Sequence, residues 1–123
     1  MKLTNGEIFS SREPLEALLQ MKFPVAISFK LAKTASKVND ALKTIEGVRN
    51  GLINRYGAPN DLGQMWVAPD SANFEAFVKE FNDLMAIEVE VVIDKVKLPE
   101  EVDGKPLEVA PALLMALSQF VEV

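Results

Sequence analysis

The chain has 123 residues with neither cysteine nor histidine, which excludes disulfide frameworks, Cys/His zinc sites, thiol nucleophiles and imidazole bases together. Apolar residues at 49% and charged residues at 25% describe an ordinary globular chain, read as a single domain over 1–123, large enough to bury a core unaided. The net charge of −5 divides into nine Lys/Arg against five Asp/Glu over residues 1–57 and four against thirteen over residues 58–123, a polarity that argues against duplex nucleic acid and for docking of the two halves or head-to-tail assembly.

Thr4-Asn5-Gly6-Glu7 has the spacing of a capping box, in which hydroxyl and carboxylate satisfy each other's backbone donors. Ile8, Leu15, Leu18 and Leu19 continue it as an amphipathic helix to about Gln20, with Pro14 expected to kink it or restart it after Ser10 or Ser11. Phe23-Pro24 breaks the chain, and Pro24 stands just inside a long helix predicted from about Val25 to Tyr56. Gly57 to Gly63 is a dense turn signal, after which Met65-Trp66-Val67 reads as one arm of a small hairpin. Asp70 or Ser71 is expected to cap a third helix with Phe74, Phe77, Val78, Phe81, Leu84 and Met85 on one face. Ile87 to Val91 alternates with period two and predicts a strand to about Leu98; Glu100 to Gly104 is a turn, and Pro106 to Val109 is the expected partner of that strand. Pro111 to Leu117 makes a last short helix before Phe120-Val121. The predicted fold is α+β and predominantly helical, with a long central helix in an antiparallel helix pair and a small β element near the C-terminal half.

On the long helix, Leu31, Val38, Ile45 and Leu52 keep seven-residue spacing with Ala35 and Leu42 between them, a coiled-coil-like seam. Such a seam closes either on the chain's own second helix or on another copy. With the phenylalanine face it presents more apolar surface than two helices easily cover, which predicts a homodimer or higher oligomer. Arg49 falls inside this stripe, where an unpaired charge is costly. It is expected either to pair with Glu88, Glu90 or Asp83, or to line a polar cleft and grip an anion with two parallel bonds.

Lys30, Lys33 and Lys37 cluster on one side of the helix with Arg55 on the same azimuth, and no acid occurs from Ala17 to Asn39. They form either a solvated flank complementing the acidic half or a phosphate-facing surface. Trp66 is the only tryptophan, a core anchor or a stacking platform. The candidate ligand-binding set is therefore Arg49, Arg55, Tyr56 and Trp66, with Lys33 or Lys37 supplied by the same or a second protomer: guanidinium and ammonium groups for phosphate, aromatic faces for a base. Gly47 and Gly51 are expected to admit a close neighbour. No Gly-rich phosphate loop and no paired-carboxylate motif is present, so no catalytic residues, metal site or cofactor are expected and the chain is read as a non-enzyme. A signal core and a membrane-length apolar run are both missing, which predicts a cytoplasmic protein.

Thr4-Asn5-Gly6-Glu7-Ile8-Phe9, Phe23-Pro24-Val25 leading into Lys30-Leu31-Ala32-Lys33, Asn54-Arg55-Tyr56-Gly57 and Glu88-Val89-Glu90-Val91 together resemble small proteins of unknown function carried by phages and prophages of Gram-positive bacteria. The resemblance spans nearly the whole chain. It implies a viral accessory protein working in the host cytoplasm. Two roles are expected of such a chain: a binding and sequestering module, such as an anti-phage-defence inhibitor that captures a cyclic nucleotide signal, or a scaffold or chaperone for virion assembly.

Overall fold

The computed structural model describes all residues from Met1 to Val123 and is 54% helical, with four helices and several very short strands. Strand β1 (Lys2–Thr4) leads directly into helix α1 (Asn5–Leu19). The capping box is formed as expected: the Thr4 hydroxyl accepts from the Glu7 amide at 3.1 Å, and Glu7 Oε1 accepts from the Thr4 amide at 2.9 Å. Pro14 lies inside α1 without ending or restarting it. Its missing N–H costs the helix one backbone bond, while Ile8, Leu15 and Leu18 stay buried on either side of it.

Helix α2 (Val25–Tyr56) runs without interruption for 32 residues, about 48 Å at 1.5 Å per residue. Pro24 is its cap rather than its first residue, and the Pro24 carbonyl accepts from Ile27 and Ser28, each at 3.0 Å. Strands β2 (Ala58–Pro59) and β3 (Met65–Trp66) form the small antiparallel hairpin, its turn held by Asn60 Oδ1 accepting from Leu62 and Gln64 at 2.8 and 2.9 Å. Gly57 is required there because a Cβ would lie 2.5 Å from both the Ile53 and Trp66 carbonyl oxygens. Helix α3 (Phe74–Ala86) starts later than predicted: Ser71 accepts from the Asn73 amide at 3.1 Å in a turn preceding the helix, and Asn73 occupies the cap position without a side-chain bond. Ser71 therefore spends its oxygen on the turn.

The β prediction needs two corrections. Ile87 to Leu98 is not one strand, and residues 106–109 do not pair with it. Strand β4 (Glu88–Glu90) pairs antiparallel with β1 at the N-terminus, in the register Leu3 to Val89. Beyond Val91 the chain turns inward, and β5 (Val96–Lys97) pairs in parallel with β8 (Val121–Glu122). Between them β6 (Glu101–Val102) and β7 (Lys105–Pro106) close a two-residue hairpin. Its central residues Asp103 and Gly104 have φ of 55° and 78°, the type I′ geometry favoured by Asp-Gly because its twist matches that of the strands. This local turn takes Lys105 and Pro106 as partners for Glu101 and Val102. Helix α4 (Pro111–Ala116) follows.

The buried apolar residues form a single cluster, and its composition decides what covers the α2 seam. Leu31, Ala35, Val38, Leu42 and Ile45 are buried against Ile8, Leu15 and Leu18 of α1 and against Ile93, Val96, Leu98, Leu117, Phe120 and Val121 of the C-terminal segment. That part of the predicted dimer seam is filled by the chain itself. Leu52, in the next heptad, is only half-buried. Buried Asn5 locks the far end of α1 to α3, its Nδ2 donating to the Leu84 carbonyl and its amide to that of Ile87, both at 2.9 Å. No helix is long and apolar enough to cross a membrane.

Candidate functional site

The N-terminal half of α2 exposes a lysine on successive turns: Lys30, Lys33 and Lys37 follow each other on the flank of the buried Leu31, Val38 and Leu42 stripe, with buried Thr34 between. The inward turn of the chain after Val91 brings a second wall against them. Ile93, Asp94, Lys95 and Val96 close a cleft of about 290 Å³ with Lys30, Lys33, Thr34 and Lys37. Ile93 and Val96 are buried and anchor that wall in the core, and Val96 donates its amide to the Phe120 carbonyl at 2.9 Å. The cleft thus has one helical wall and one wall tied to the C-terminal strand.

Its electrostatics are one-sided. Four lysines face one acid, Asp94, and no lysine of the chain takes part in an ion pair. Lys37 donates to the Val92 carbonyl, which fixes its ammonium at the cleft edge. Thr34 is buried and donates to the Lys30 carbonyl at 3.2 Å, leaving its hydroxyl oxygen free to accept. Outside the lining, one turn before Lys33, Phe29 is 65% exposed, with the Lys33 ammonium 6.0 Å from its ring centre. An aromatic face beside clustered ammonium groups suits a ligand carrying both a phosphate and a planar ring.

The structure separates the six predicted ligand residues. Lys33 and Lys37 line the cleft, whereas Arg49 stands about 24 Å from Lys33 along the helix axis, counting 16 residues of rise. Arg55, Tyr56 and Trp66 gather at the C-terminal end of α2, where β3 folds back on it. The Arg55 guanidinium sits 5.4 Å from the Tyr56 ring centre and Trp66 is 48% exposed. The neighbouring Glu80 carboxylate raises the Tyr56 pKa above its ordinary value, burial adding to the effect and the Arg55 charge opposing it. No one protomer brings these residues into the lysine cleft.

Arg49 does not make the expected ion pair with Glu88, Glu90 or Asp83; the side-chain pairs are Arg12 with Glu16 and Glu46, at 3.7 and 2.7 Å. Instead it is half-buried with its guanidinium 5.9 Å from the Phe9 ring centre, and its Nε is buried with no hydrogen-bond partner. The strand that would have carried Glu88 and Glu90 past it pairs with β1 instead, and Glu90 meets the Met1 ammonium at 2.8 Å. Gly47 and Gly51 admit no neighbour within the chain, since a Cβ at either meets nothing within 4 Å.

Sequence reasoning missed Lys95, Asp94, Thr34 and Phe29. Lys95 sits in a run read as strand, and only the tertiary fold sets it opposite Lys33. No group of three or more acidic, histidine or cysteine side chains is placed to hold a metal ion. No family model, curated protein or solved structure matches the chain.

Proposed function

We propose that this chain is a non-enzymatic binding module that captures a phosphate-bearing small molecule in the cleft between α2 and residues 93–96. The carrying observation is the excess of four lysines over one acid around a single concave site. A cluster of like charges left without counter-charges is unfavourable by itself and becomes favourable when an anion occupies it. The volume lies at the small end of the range for ligand pockets, which suits one compact ligand and not a nucleic-acid strand. With Phe29 as a stacking face, a cyclic nucleotide meets these requirements. A phage protein that sequesters a host nucleotide signal, working in the cytoplasm as a homo-oligomer, is the biological reading we attach to it.

Isothermal titration calorimetry with cyclic mono- and dinucleotides, using inorganic pyrophosphate as the base-free control, tests the proposal. Micromolar binding that weakens with salt is expected. Lys33→Ala with Lys37→Ala should reduce affinity by roughly 100-fold, about tenfold for each charge-assisted bond lost. Absence of binding by all these anions at low salt overturns the reading. A second reading, a virion assembly protein, draws on the exposed apolar surface of residues 46–83. It is favoured if the protein co-purifies with head or tail components and ignores nucleotides.

A further inference from the structure

The chain exposes far more surface than its mass requires. Its accessible area is 8234 Å², whereas monomeric proteins of 13.6 kDa expose about 6,600 Å² by the usual scaling with mass. The excess, about 1,600 Å², is what one protomer contributes to a large obligate homodimer, whose interfaces bury roughly 2,000–5,000 Å² in total. Exposed apolar side chains occur elsewhere, Val25, Phe29, Val92 and Met115 among them, but one stretch is the longest that buries nothing. No residue between Ile45 and Leu84 is buried, although this stretch carries Leu52, Trp66 and the Phe77–Phe81 ring pair at 6.0 Å. Helix α3, whose apolar and polar residues are sharply segregated, buries only Leu84.

We infer that a second copy of this chain covers the face formed by the C-terminal half of α2 and by α3, in a two-fold symmetric dimer. Val48, Leu52, Leu84 and Ile87 line an apolar groove there with Glu80 and Asp83 at its edge. Val48 and Ile87 are 47% and 51% exposed, a large apolar exposure at the centre of a contiguous patch. The charges select a copy of the same chain. Arg55 lies on the stripe of Val48 and Leu52, exposed and outside every ion pair, and Asp83 is equally free. A two-fold axis brings each surface against itself reversed, setting Arg55 of each protomer toward Asp83 of the other. This inference does not depend on the lysine cleft, which lies at the other end of α2.

Sedimentation velocity on the full chain tests it. The unmodified protein is expected to sediment at twice 13.6 kDa. Val48→Asp with Ile87→Asp replaces two already exposed side chains, so the fold survives by circular dichroism. The dissociation constant should rise about 100-fold or more, as for central interface positions. Arg55→Asp and Asp83→Arg should each weaken the dimer and together restore it. A monomer at all accessible concentrations overturns the inference and hands the face to a different protein; a dimer indifferent to Val48→Asp with Ile87→Asp also overturns it. Nucleotide titration of the monomeric variant reads the cleft separately.

Discussion

Replacing Phe120 by alanine asks whether the C-terminal segment, and not a second copy, seals the α2 seam. Phe120 is 2% exposed and sits in the cluster that contains Leu31, Val38 and Leu42. Removing a phenyl ring from such a site forfeits the transfer free energy of the lost apolar surface and adds a cavity term, together about 3–5 kcal/mol. Against a stability of about 5–15 kcal/mol for a domain of this size, that loss should lower the melting temperature by roughly 10–25 °C. Met115→Ala, on neighbouring α4 and 77% exposed, is the control and should change stability by less than about 0.5 kcal/mol. Urea unfolding followed by far-UV circular dichroism measures both. The exposed Trp66 reports the wrong end of the molecule. If Phe120→Ala costs less than about 1 kcal/mol, in the monomeric Val48→Asp with Ile87→Asp background as well as in the unmodified chain, the C-terminal segment does not seal the seam and that packing is wrong.

Two further outcomes follow from polar groups. The Glu7 pKa is lowered, first by its bond to the Thr4 backbone and then by Gln119. Because the folded value lies below the unfolded one, its stabilisation is complete above the ordinary glutamate range and is lost as pH falls through the folded value. Glu7→Gln should flatten that acid limb in melting temperature against pH, while an unchanged limb would assign the acid sensitivity elsewhere. Arg49→Met should leave the melting temperature unchanged or raised, since it removes an unpartnered buried Nε while keeping an apolar stem against Phe9; a drop of several degrees would reveal a counter-charge, and either way nucleotide affinity should not move.

What the sequence made legible is what local physics decides. The bounds of α2 follow from one uninterrupted period between Pro24 and Gly57, and the Thr4–Glu7 box follows from a four-residue reciprocity. The same locality misled at the strand. Ile87 to Val91 alternates, but nothing in a period of two says which segment supplies the partner, and the partner is β1, with Leu3 opposite Val89, 86 residues away along the chain. Asp103-Gly104 was visible as a turn, yet its φ values commit Lys105 and Pro106 to the adjacent arm. The candidate site divides in the same way. Lys33 and Lys37 share a helical face and were found together, whereas Lys95 reaches them only through the inward bend anchored by Ile93 and Val96.

The opposed charges of the two halves suggested that they dock by attraction, and the structure assigns the docking to other forces. The contacts that hold residues 93–98 and 117–121 against α2 are apolar: Ile93, Val96, Leu98, Leu117, Phe120 and Val121 all lie in the core. Apart from half-buried Glu80 the acids of that half remain on the surface, and the one ion pair between the halves joins the Met1 ammonium to Glu90 at 2.8 Å, away from this contact. An interface built on hydrophobic burial is indifferent to nearby charge provided the charges stay hydrated, so it can bring Lys95 up to Lys33 and Lys37 without neutralising them. The repulsion among those ammonium groups is then a cost carried by the apolar packing together with the bond from Lys37 to the Val92 carbonyl. A bound phosphate would remove that cost and add charge-assisted bonds, which is the physical basis of the anion site we propose at the α2 cleft.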